Sequence, residues 1–171
     1  MSAPIPHAVL MCHAPIVLPQ VGKGRAEQCR VSTEGMRQAA QHLKNRNPDV
    51  VVVLSPHTPR MPHAFGLVGG EQLQGDFANF GAPEVQLSFQ NDMQARAALL
   101  DAAAETKIDL GFLSPLPLDH GAAVPLAFLH EADYFPPVVV IGFPSRPTHA
   151  QCRAMGSAIR LAAERDGRTW A

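Results

Sequence analysis

With 171 residues, 46% hydrophobic and 17% charged, the chain has the size and composition of one globular domain, not of a disordered or fibrous protein. A net charge of -1 with no dense Lys/Arg cluster excludes the electrostatic footprint of a nucleic-acid or anionic-membrane binder. The apolar runs fall far short of the roughly 20 residues needed to span a bilayer. The first residues are apolar but hold Pro6, His7 and His13 and lack a basic stretch, which argues against a secretory leader. Cys12, Cys29 and Cys152 lie far apart without a C-x-x-C, the usage expected of reduced thiols in a cytoplasmic protein.

In chain order, residues 8–12 form a continuous apolar run ending at His13, the pattern of a strand buried on both faces, with Cys12 turned into the core. Residues 16–25, rich in Pro, Gly and Lys, predict a loop. Cys29, Thr33, Met36, Ala40 and Leu43 recur at helical spacing and predict a helix over 27–44. Asn47-Pro48 ends it. Residues 50–54 are a second buried strand, and strand–helix–strand in this order is a βαβ unit whose strands run parallel. Strands are expected at 64–68 and 85–89, with an irregular excursion over 75–83 between them. A helix over 91–105 and a strand over 108–113 follow. Residues 114–121 are too proline-rich for regular structure, and Pro125 suits the first turn of a short helix reaching 132. A buried strand over 138–142, a helix over 147–165 stopped by Gly167, and the opening of a further strand at 168–171 complete the pattern. Alternating strands and helices predict an α/β fold, a three-layer α/β/α sandwich around a mostly parallel sheet, as one domain over 1–171 that is incomplete at its carboxyl end.

Eight histidines stand out, because neutral imidazole is the commonest metal ligand and a proton carrier near neutral pH. His13 and His57 both follow apolar strands, and ligands of open α/β sheets bind beyond the carboxyl ends of strands. On neighbouring strands about 4.8 Å apart the two could share one ion. Such a pair suits zinc, iron, copper or nickel and leaves room for a carboxylate and open positions. The alternative for each is a loop histidine bonded to a backbone carbonyl. His120, in Asp119-His120-Gly121, is a ligand, a general acid/base or a turn residue beside a helix-capping Asp119. His42 and His130 fall on helices and His149 at a helix start, whereas His63 lies close enough to His57 to line a pocket. Gly22-Lys23-Gly24 is not a phosphate-binding loop, and no G-x-S-x-G or H-E-x-x-H occurs.

Four blocks in order complete the reading: Cys12-His-Ala-Pro-Ile16 with Pro19-Gln-Val-Gly-Lys-Gly24, Pro48 to His57, Gly75 to Phe89, and Leu118-Asp-His-Gly-Ala-Ala-Val-Pro-Leu126. Together they cover nearly the whole chain and resemble the class III extradiol ring-cleavage dioxygenases, the group of the catalytic subunit of protocatechuate 4,5-dioxygenase. The third and fourth are most similar to the dioxygenase-like domain of AmmeMemoRadiSam system protein A. The resemblance implies Fe(II), with zinc as a possible substitute, held by His13 and His57. It implies a catalytic acid/base at His120 supported by Asp119, and cleavage of a catechol-type ring next to the diol with O2. It also implies a second catalytic histidine and a carboxylate metal ligand, both expected beyond Ala171. Expected partners are thus a small aromatic diol and O2, with no nucleic acid and no membrane. A homo-oligomer is left open, since family members often pair and a sheet edge left bare must be covered. Two other readings stand beside this one: a Memo-type metal-binding or interaction protein without turnover, and a zinc hydrolase adding Glu71, Asp76 or Asp119 to the histidine pair. Arg60, His63 and Lys23 are candidates for recognising a substrate carboxylate.

Overall fold

A computed structural model describes residues 5–171. Its centre is a four-stranded, mostly parallel sheet built from β1 (Val51–Ser55), β2 (Phe65–Val68), β5 (Leu110–Leu113) and β6 (Val138–Gly142), in the order β1-β6-β2-β5. β1 and β6, the most β-branched segments, pair parallel from Val51↔Val138 to Ser55↔Gly142. β2 pairs antiparallel with β6 and parallel with β5.

Successive residues of β1 and β6 point to opposite faces, so each strand feeds two cores. Val51, Val138 and Val140 face one core with Met36, Ala40 and Leu43 of α2 (Arg30–Arg46) and the apolar side of α4 (His120–Glu131). Val139 and Ile141 face the other, with Ala95, Leu99 and Ala102 of α3 (Met93–Glu105) and Met155, Ala158 and Ala162 of α5 (His149–Asp166). This is the expected three-layer α/β sandwich. Caps set the helix ends: Thr148 and Gln151 form a reciprocal capping box at the start of α5, and Gly167 at φ 73° closes it.

Four expectations change. Residues 8–12 do not form a buried strand; they run without regular structure, with Leu10 fully exposed and Cys12 exposed rather than in the core. The reason lies at the edge of β1, where the Ala171 N–H donates to the Val50 carbonyl and the Val52 N–H donates to the Ala171 carbonyl, bridging Val50 to Trp170 in parallel. That lane is taken at its start, and a cavity of about 510 Å³ separates residues 8–11 from the rest of β1. The expected loop at 16–25 is a chain of short helical turns, including α1 (Pro19–Gly22) and a 3-10 stretch over Lys23–Cys29.

The excursion at 75–83 is mostly a hairpin of β3 (Gln72–Phe77) and β4 (Ala82–Gln90), joined by a 3-10 turn over Ala78–Phe80 and packed on α4. Gly75 sits within β3 because the Leu118 loop approaches there; a Cβ would lie 2.8 Å from that of Leu118. Finally, α4 starts at His120 rather than near Pro125, which falls inside the helix. Pro125 lacks the N–H that would reach the carbonyl of residue 121, so the helix runs through it one backbone hydrogen bond short.

Candidate functional site

The site forms where β1 ends. Ser55, its last residue, is fully buried, and Pro56 turns the chain so that His57 stands at the surface beyond the strand. Thr58 folds back beneath, 1% exposed. The next strand over, β6, ends at Gly142, where a Cβ would approach the Thr58 side chain to 2.8 Å; a small residue is required for this turn to seat.

Asp119 ties that turn to α4. Its Oδ1 accepts from Ser55 Oγ at 2.6 Å and from the Gly121 N–H at 2.7 Å, and its Oδ2 accepts from Thr58 Oγ1 at 2.6 Å. The Ala122 N–H also donates to Oδ1, at 3.3 Å. One carboxylate therefore caps α4 and clamps the β1 turn, fixing His120, the first residue of the helix, beside His57. Their ring centroids lie 4.0 Å apart. His13, arriving from the irregular amino-terminal segment, lies 5.0 Å from His57 and 6.2 Å from His120. The three imidazoles named from sequence thus meet at one place, although His13 reaches it without the strand expected to deliver it.

Burial lowers the His57 pKa from its ordinary value, and the neighbouring His120 and His13 lower it further against the opposing pull of Asp119. Neutral imidazole, the form that ligates a metal, is favoured. The donors thus fit a divalent transition metal in kind. In number they cover part of its coordination, since no group of three or more His, Cys, Asp or Glu placed to hold an ion occurs among the described residues. Asp119, weighed above as an added ligand, has both oxygens committed to the clamp, and Asp76 Oδ1 accepts from the Ala78 N–H at 2.9 Å.

Three participants escaped the sequence reading. Ser55 and Thr58 bracket Pro56-His57, and two hydroxyl residues directly after an apolar strand were the available signal. Phe80 is the third: its ring meets His120 edge-on, with centroids 5.6 Å apart. Of the groups considered for carboxylate recognition, Arg60 is held by the Pro56 and Ser145 carbonyls and Lys23 by the Gly81 carbonyl. His63 is exposed. No helix among the described residues is long and apolar enough to cross a membrane.

Residues 7–170 match the family model described as the catalytic LigB subunit of aromatic ring-opening dioxygenase. A Clostridium acetobutylicum relative, Protein CA_C1420, is 24% identical over 131 residues, covering 71% of this chain and 28% of its own length. The chain therefore spans little more than a quarter of that curated relative. Among solved structures, Campylobacter jejuni 5'-methylthioadenosine/S-adenosyl homocysteine nucleosidase aligns at 11% identity with a TM-score of 0.36, covering 75% of this chain and 72% of that one. That likeness is too slight to carry a conclusion.

Proposed function

Because this chain belongs to the family of the catalytic LigB subunit of aromatic ring-opening dioxygenases, we propose that it acts as a non-haem Fe(II)-dependent extradiol dioxygenase. In that reading it opens a catechol-type ring next to the diol with O2. The observation supporting it is the convergence of His13, His57 and His120 within 4.0–6.2 Å, ring to ring, beyond β1. His13 and His57 would hold the iron, which when bound supplies Lewis acidity toward the diol and a redox partner for dioxygen.

His120 then takes the proton of a diol hydroxyl at a ring nitrogen and returns it to an oxygen as the ring opens. Its position at the first turn of α4, fixed by the Asp119 clamp, keeps the imidazole beside the His57 ring, 4.0 Å centroid to centroid. Asp119 is a positioning residue, since its own oxygens are occupied by Ser55, Thr58 and the helix N–H groups. Both atoms of O2 enter the product, and the ring carbon–carbon bond beside the diol breaks.

A Memo-type metal-binding or interaction protein without turnover is the second reading, favoured by a donor set that covers only part of a catalytic metal's coordination among the described residues. Oxygen uptake on a panel of catechols after anaerobic Fe(II) loading separates the two. Uptake dependent on both iron and diol is expected. An iron-loaded protein that consumes no oxygen with any catechol sinks the dioxygenase reading. His13→Ala and His57→Ala should each lower retained iron by at least tenfold, measured by elemental analysis after desalting; unchanged retention removes both residues from the metal site.

A further inference from the structure

We infer that Phe80 is the wall against which an aromatic ligand is positioned over His120, and that Lys23 holds this wall in place. The aromatic character of the ligand rests on the function proposed above; the wall itself rests on the geometry. Phe80 is 40% exposed, so it is not a core residue, yet its ring stands at 68° against the His120 imidazole. Edge-to-face geometry leaves part of the phenyl surface open beside the histidines, where a planar ring could stack.

The turn that carries Phe80 is braced from several sides. Phe77, fully buried, lies 6.3 Å beneath it, ring to ring. Asp76 Oδ1 accepts from the Ala78 N–H, and the Gly81 N–H closes the turn on the Ala78 carbonyl with Gly81 at φ 76°. Lys23 Nζ donates to the Gly81 carbonyl at 3.1 Å, tying the segment after His13 to the residue after Phe80. Lys23 itself sits at φ 49°, ψ -128°, backbone that side chains bearing a Cβ rarely adopt. Strain of this kind persists where the surroundings over-determine it, and it clusters at ligand clamps. Lys23 is exposed, so the bond to the Gly81 carbonyl, rather than burial, holds its side chain across to the Phe80 turn.

The test is calorimetric titration of catechol and of phenol into the Zn(II)-loaded protein, in which no oxygen chemistry intervenes. Phe80→Ala should weaken catechol binding on the order of tenfold with zinc retention unchanged, and Phe80→Trp should restore it. Lys23→Met should weaken binding several-fold, and Lys23→Arg should recover it, because a donor still reaches the Gly81 carbonyl. If Phe80→Ala binds catechol as the native protein does, the wall is wrong while the dioxygenase reading stands. If phenol binds in a Phe80-dependent way and catechol does not, the wall stands and the diol substrate falls. Binding of neither ring overturns the inference, and oxygen uptake then judges the proposed function separately.

Discussion

Asp119 shows how much one residue of the site carries. Its carboxylate accepts from two side-chain hydroxyls and two backbone N–H groups, so Asp119→Ala removes a helix cap and leaves Ser55 and Thr58 to find new partners. The expected loss is about 2–3 kcal/mol in urea unfolding, with His120 displaced from His57. A loss below about 0.5 kcal/mol, the scale of an ordinary surface substitution, would show that the clamp is not needed. Gly121→Ala probes the same joint from the other side, since its Cβ would lie 2.4 Å from Ser55 Oγ and 2.8 Å from Asp119 Oδ1. About 1–3 kcal/mol of destabilisation follows from such overpacking. The meeting of His13, His57 and the Asp-His-Gly block was legible in the sequence because each lies just past an apolar run, where the ends of sheet strands gather. Ser55, Thr58 and Phe80 were not, because a hydroxyl or a phenyl ring has many ordinary uses and only the folded geometry selects one.

At the scale of elements, the carboxyl-terminal segment is fastened by charge. Arg168 donates to both oxygens of Asp92, the cap of α3, at 2.7 and 3.0 Å, and its Nε donates to Asp166 at 2.7 Å. Burial pushes both carboxyls up. The Arg168 hydrogen bonds outweigh it, with the Ala95 N–H at Asp92 and Trp170 and Gln94 at Asp166, so both pKa values fall below the ordinary 3.8. A carboxyl depressed on folding contributes stability that is present above its unfolded value and lost as pH falls through the folded one. Arg168→Met should therefore cost the most stability above about pH 5, with the difference from the native chain shrinking toward pH 2 in thermal melts. A difference that stays constant over that range would show that the arginine acts through packing alone. Periodicity made α2, β1 and β6 legible, because a face that must be buried writes its period into the chain. The same logic failed for residues 8–12: hydrophobicity says that a segment wants cover, not which edge of the sheet remains open to it. It failed at β3 because Gly75, which reads as a turn, is there to admit the Leu118 loop.

Across the whole molecule, two cores lie on opposite faces of one sheet, and β1 and β6 contribute to both. Trp170, the single tryptophan, is fully buried at the bridge to Val50 and reports on that junction. Its fluorescence and the far-ultraviolet helix signal should change in one coincident urea transition if the layers unfold as a unit. An earlier fluorescence transition would mean that the carboxyl-terminal segment detaches by itself. The lane beside β1 has a consequence for how residues 1–171 by themselves behave in bulk. Past Val52 the strand faces a cavity, with Leu54 44% exposed and Val9 and Leu10 bare on the other bank. Unsatisfied strand edges flanked by greasy side chains are sticky, and with a net charge of only -1 little long-range repulsion keeps copies apart. Concentration rather than temperature should then limit handling, visible as a negative second virial coefficient in light scattering that Leu10→Lys moves toward zero.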